Sequence, residues 1–203
     1  MLCLPTDPTV ARYLSQVIEE NLNTGSSRLA STQIDLASSS GFLFIRYPNL
    51  VGIRYTLNIP QGATIVSASV QFKSHGIHSM ATQLQISAHF TANAPAFTWT
   101  STDLSRRVRT AAVNWEPPMW WSNEEGPNQQ TPDLSSILQT LVNLPGWAAG
   151  NAMLLIFEEY FASVTAHRAG LISQGAPLTI EYIERMRVLL GKLPTYSLGM
   201  FVL

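Results

Sequence analysis

Apolar and polar positions alternate with a period of two from Ile65 to Phe72. Ile65, Ser67, Ser69 and Gln71 fall on one side, and Val66, Ala68, Val70 and Phe72 on the other. In a strand, successive side chains point to opposite faces, so this pattern predicts one packed face and one more polar face. The segment Arg54-Tyr-Thr-Leu-Asn-Ile59 precedes it, and Pro60-Gln61-Gly62 lies between the two. Pro60 presets φ for a turn and Gly62 tolerates positive φ, so 54–72 is expected to form strand, tight turn and strand.

Similar patterns recur along the chain. Gln33-Ile-Asp-Leu36, Phe42–Tyr47, Val51–Ile59, Leu84–Ala88, Phe97–Ser101, Arg109–Trp115 and Leu178–Tyr182 read as strands, separated by Gly, Pro, Asn and Ser clusters. Tyr13–Glu20 is compatible with helix or strand. Ala152–Phe157 is a continuous apolar run and predicts a strand buried on both faces. Lys73–Ala81 and Trp120–Pro132 read as loops. One helix is signalled: Thr131 or Asp133 as cap, Pro132 in the first turn, and Leu134, Ile137, Leu138, Leu141 and Val142 on one face. Asn143 and Pro145-Gly146 end it.

About eight to ten short strands with a single helix in a crossover predict an all-β fold, an antiparallel β-sandwich of the jelly-roll type. The expected layout is an irregular N-terminal arm over 1–12, the sandwich over 13–182, and a C-terminal extension over 183–203. The extension ends in apolar residues, among them Tyr196, Met200, Phe201 and Leu203. These are candidate partner-binding residues, because an exposed apolar tail tends to dock on its own domain, on a sheet edge or on a partner.

Composition narrows the function classes. The 203 residues carry 12% charged side chains and a formal net charge of −1. No global field recruits nucleic acid or an anionic membrane. The single cysteine, Cys3, allows no internal disulfide and no zinc pattern. The first residues lack the basic and apolar regions of a signal peptide, and no apolar run is long enough to span a membrane. No cofactor is expected.

Candidate chemistry is sparse. Trp99, Trp115, Trp120, Trp121 and Trp147 suggest sugar stacking, since the C–H face of a pyranose packs on an aromatic plane. Trp120 and Trp121 adjoin Asn123 in a polar loop, and Trp99, Trp120, Trp121 and Asn123 are the ligand candidates; the alternative is that loop tryptophans close the core. Trp115 and Trp147 read as core. Arg106-Arg107-Val-Arg109 concentrates cations, so Arg107 and Arg109 are candidates for an acidic glycan or a partner's carboxylates, unless Asp103 or Glu116 pairs with them. His75 and His78, with His89, fall short of a metal ligand set, and no metal is expected. Glu124-Glu125 and Glu158-Glu159 are neighbours pointing to opposite faces, which does not fit a glycosidase pair. No phosphate loop, nucleophile elbow or zinc-protease motif occurs, so no catalytic residue is nominated.

Three passages together carry a resemblance: Val51-Gly-Ile-Arg-Tyr…Ile-Pro-Gln-Gly-Ala-Thr-Ile-Val-Ser-Ala, then Arg106–Trp115 with Pro117-Pro-Met-Trp120, then Gln130-Thr-Pro-Asp-Leu-Ser-Ser-Ile-Leu-Gln…Pro-Gly-Trp-Ala-Ala-Gly-Asn-Ala-Met-Leu-Leu-Ile. Over roughly 15–182 the chain resembles the DNRLRE or disaggregatase-related jelly-roll domains, which are similar to carbohydrate-binding modules. The resemblance implies an extracellular or cell-surface sandwich and transfers no catalytic residue. The expected function is a non-catalytic module that binds a polysaccharide or builds a surface assembly. The alternative is an accessory scaffold subunit of an intracellular or organellar complex, joined to other subunits or to itself through its termini.

Overall fold

The computed structural model describes residues 9–13, 15–21, 27–30, 42–45, 49–74, 76–77, 82–97, 103–159, 167–170 and 176–184. In chain order the strands are β1 (Thr9–Tyr13), β2 (Ser15–Asn21), β3 (Ser27–Ala30), β4 (Phe42–Ile45), β5 (Asn49–Thr56), β6 (Thr64–Val70), β7 (Lys73–Ser74), β8 (Leu84–Ala88) and β9 (Val113–Trp115). Helix α1 (Ser135–Val142) follows, then β10 (Ala152–Glu159), β11 (His167–Gly170) and β12 (Leu178–Ile183). The hydrogen-bonded orders are β1-β12-β6, β3-β2-β5-β10-β8-β9 and β4-β11-β7, and every pairing is antiparallel. The fold is an all-β antiparallel sandwich with one α-helix among the described residues.

The main core lies between the inner faces of β6 and β12 and those of β5, β8, β9 and β10. It contains Val51, Ile53, Tyr55, Val70, Ile86, Leu155, Phe157, Leu178 and Ile180, with Ile137, Leu138 and Leu141 of α1. A second cluster covers the opposite face of β5 and β10: Leu50, Leu154 and Ile156 pack with Ala94 and Leu104, and Phe97 leans on them. β10 is therefore buried on both faces, which is why its sequence is an unbroken apolar run rather than an alternation.

The alternation expected for β6 is interrupted. Ser67 pairs with Glu181, but Ile65 pairs with Tyr182, so Val66 is an extra residue in a β-bulge. Ile65 turns inward with Ala68, Val70 and Phe72, while Val66 is 45% exposed. The expected faces of Ile65 and Val66 are thus exchanged, because one inserted residue shifts a period-two pattern by a full face.

The turn before β6 has Gly62 at φ 72°, as expected for this glycine. Ala63 N donates to Pro60 O at 3.2 Å, so Pro60 opens the turn as its acceptor rather than setting φ within it. Gly62 N donates to Val142 O at 3.0 Å, tying the turn to the end of α1.

The edge of β6 away from β12 is closed by the 129–139 segment. Phe72 N donates to Gln129 O, Val70 N to Thr131 Oγ1, Ala68 N to Asp133 Oδ1 and Ile65 N to Gln139 Oε1. An edge strand with unpaired amides invites association with another chain, and these acceptors cover it. Neither Thr131 nor Asp133, the two expected caps, is the helix cap. Leu134 occupies that position, and Asp133, one residue earlier, accepts from Ser135 N at 3.1 Å.

Other differences are local. Residues 9–12, expected within an irregular arm, belong to β1 and pair with β12. β7 lies in a stretch read as loop, and β3 and β11 were not anticipated. The strand expected over Arg109–Trp115 is confined to Val113–Trp115, with an isolated bridge between His89 and Arg109. The strand expected at Gln33–Leu36 lies outside the described residues.

Candidate functional site

The 116–130 loop separates the two adjacent tryptophans. Trp120 is fully buried; its Nε1 donates to Asn128 O at 2.7 Å. Its ring lies 6.5 Å from Phe72 and 6.2 Å from Trp115, and Phe72 stacks on Trp115 at 5.8 Å. Trp120 has no face to offer a ligand, so its candidacy gives way to the alternative that it closes the core. Trp115 and Trp147 are also buried, and Trp147 Nε1 donates to Ile59 O at 2.9 Å. Trp99 lies outside the described residues, as do Tyr196, Met200, Phe201 and Leu203.

Trp121 points the other way and is 54% exposed. Its backbone is held tightly. Trp121 N donates to Glu124 Oε2 at 2.8 Å, and Glu124 N donates to Trp121 O at 3.3 Å. The same carboxylate oxygen accepts from Nε2 of the buried Gln129 at 3.0 Å. Asn123, at φ 65°, donates from N to Ser74 O at 3.1 Å, and Ser74 N donates to Glu124 O at 2.8 Å. Asparagine is among the few side chains that enter the left-handed region readily. The turn is therefore docked on β7 and carries an exposed aromatic ring beside the exposed polar side chains of Ser122 and Asn123. Glu124 and Gln129 hold the backbone of this turn. Both stand in the polar loop beside the tryptophans, but a loop residue has no periodic signature that would assign it a partner.

The arginines are paired internally, which for Arg107 is the alternative anticipated with Asp103, rather than turned toward a ligand. Arg107 lies against Asp103, with Nη2–Oδ1 at 2.9 Å and Nε–Oδ1 at 3.2 Å, and the two side chains are 6% and 10% exposed. Its Nη1 donates to His89 Nδ1 at 3.1 Å, and its guanidinium sits 5.8 Å from the centre of the Phe97 ring. Arg109 pairs with Glu158, at 24% and 34% side-chain exposure. Neither guanidinium presents a free fork to a glycan. Glu116, the other anticipated partner, instead accepts from Gln83 Nε2 at 3.0 Å. The Asp103–Arg107 spacing of four was the readable sign of this pairing.

A guanidinium only donates, so Nδ1 of His89 is the unprotonated nitrogen and its ring is neutral. Burial, then the charge of Arg107, lowers the pKa of His89 below 6.5, while Asp103 pulls the other way. Arg54, on β5 beside this group, donates from Nε to Ala94 O at 3.0 Å, and its pKa is lowered by burial and then by Arg107. His75 and His78 lie outside the described residues, and no group of three metal-ligating side chains occurs among those described. Glu124 is committed to its turn and Glu158 to Arg109, so neither is poised across a cleft from a second carboxylate in the manner of a glycosidase.

No protein-family model and no curated protein matches the chain. Among the described residues no helix is long and apolar enough to cross a membrane. The described residues thus present an exposed ring on a pinned turn and, separately, a largely buried ionic cluster around Arg107.

Proposed function

We propose that the chain is a non-catalytic binding module that takes a sugar ring on Trp121, with Ser122 and Asn123 bonding its hydroxyls. The observation that carries this is the 54% exposure of Trp121 on a turn fixed from both sides. An exposed aromatic residue costs solvation, and a turn already ordered loses little entropy when a ligand stacks on it. The resemblance to jelly-roll domains similar to carbohydrate-binding modules supports the same reading, and a cell-surface or extracellular setting follows from it.

Affinity electrophoresis through gels containing neutral polysaccharides tests the proposal. The wild-type chain is expected to be retarded in at least one gel, and Trp121→Ala to migrate as in a sugar-free gel. Trp120→Phe, which loses the bond to Asn128 O but leaves the Trp121 ring in place, is expected to keep the retardation. Free migration of the folded wild type in every gel, or unchanged retardation of Trp121→Ala, overturns the reading.

A further inference from the structure

The outer face of β5 and β10 is apolar at Leu50, Leu154 and Ile156, and the segments 94–97 and 103–107 cover it through Ala94, Phe97 and Leu104. Those segments bring no strand pairing of their own to that face. Their hold is polar: the first is tied directly to the sheet, Ala94 N donating to Ala152 O at 2.7 Å and Ala94 O accepting from Arg54 Nε at 3.0 Å, whereas the second is held through Arg107. Arg107 bonds Asp103 within its own segment, Pro95 O at 3.4 Å in the other, and His89 Nδ1 at 3.1 Å at the end of β8. His89 is itself locked to the sheet, its N donating to Leu154 O at 2.9 Å.

We propose that His89 and Arg107 form a pH-sensitive latch: protonation of His89 releases the 103–107 part of the cover from the outer face of β5 and β10. Once Nδ1 carries a proton it no longer accepts from Arg107, and an imidazolium stands against a guanidinium whose side chain is 6% exposed. The surrounding charges do not reverse this. From the covering segment, Asp103 attracts both cations but is already engaged by Arg107. Arg54 on β5 adds a further positive charge near Arg107, and Arg109, bridged to His89, has its own charge met by Glu158 of β10.

The direction follows from linkage. The latched state disfavours the charged ring, so a released His89, with an ordinary affinity near 6.5, binds protons more readily. The latched population is full above that value and falls as pH drops below it. Release withdraws Leu104 from the apolar cluster of Leu50, Leu154 and Ile156, which it helps to hide at neutral pH.

Amide hydrogen exchange of the full chain at about pH 7.5 and about pH 5, corrected for intrinsic rates, reads the latch on either side of the histidine range. The amide of Arg107, which donates to Leu104 O at 3.2 Å, is expected to lose protection at the lower pH, while those of Leu155 and Ile180 keep theirs. His89→Asn puts a non-titrating oxygen acceptor near the place of Nδ1 and is expected to abolish the difference. A ring titration of wild-type His89 by NMR, expected below the ordinary value, needs no variant to fold. Protection independent of pH in the wild type, the same pH response in a folded His89→Asn, or a His89 titration at or above 6.5 would overturn the latch.

Discussion

Thr131 and Val70 exchange two hydrogen bonds across the edge of β6: Thr131 N donates to Val70 O, and Val70 N donates to Thr131 Oγ1, each at 3.0 Å. The pair imitates one rung of an antiparallel ladder, with a hydroxyl standing in for a carbonyl. Thr131 is 5% exposed and Val70 fully buried, so solvent does not replace the acceptor if it is lost. Thr131→Val keeps the shape and removes the oxygen, and an orphaned buried donor costs about 1–3 kcal/mol. Urea denaturation is expected to show that loss for Thr131→Val and most of it regained in Thr131→Ser.

Asp133 extends the same edge and makes it sensitive to acid. Burial alone would raise its pKa, but hydrogen bonds from the Ser135 hydroxyl, Ala68 N and Ser135 N outweigh it, and the net value lies below 3.8. A depressed carboxylate stabilises the fold at pH above its unfolded value, and that contribution disappears as pH falls through the folded value. Asp133→Asn is expected to be less stable than wild type at neutral pH and to converge with it in acid. Denaturation midpoints measured from neutral pH into the carboxylate range check this; a constant gap between the two proteins would contradict it.

The neighbouring tryptophans are expected to separate stability from recognition. Trp120→Ala empties a fully buried site within the aromatic cluster of Phe72, Trp115 and Phe157 and is expected to cost about 3–5 kcal/mol. Trp121→Ala is expected to change stability by no more than about 0.5 kcal/mol, as exposed positions usually do. Thermal denaturation of both variants measures the contrast.

The two ion pairs should differ in the same way. Arg107→Ala leaves Asp103 buried without its charge partner, a situation that costs about 3–5 kcal/mol. Arg109→Ala opens a partly exposed pair worth about 0–1 kcal/mol. Equal losses in equilibrium unfolding would contradict the assignment of Arg107 as the fastening of its segment.

Gly62 tests backbone conformation without a change in packing. A Cβ there meets nothing within 4 Å, yet φ is +72°. Gly62→Ala is therefore expected to lose about 1–2 kcal/mol from the left-handed backbone alone, and Gly62→Asn less. Chemical denaturation of the two variants distinguishes strain from crowding.

Much of the layer structure is legible in the residues. The apolar run of β10 announced a strand covered on both faces, the alternation of β12 a half-buried one, and the spacing from Leu134 to Val142 a helix with one packed side. The candidate site was less legible. Trp120 and Trp121 are the same residue type at consecutive positions, so periodicity shows that they face apart but not which one faces in. Glu124, Gln129 and Ser74 fix the turn that carries the exposed ring through contacts between distant or irregular segments, and such contacts leave no period to read.

By itself the sequence determined the repeat of two that makes strands, the punctuation that separates them and the glycine that turns the chain before β6. Tertiary structure alone decided that Val66 bulges, that Ile65 therefore turns inward, that the 129–139 segment closes the edge of β6, and that Arg107 also reaches His89. The physical reason is the same in each case. Local preference sets how a strand alternates, but which face is buried, and which polar group finds a partner, depends on what the rest of the chain brings against it.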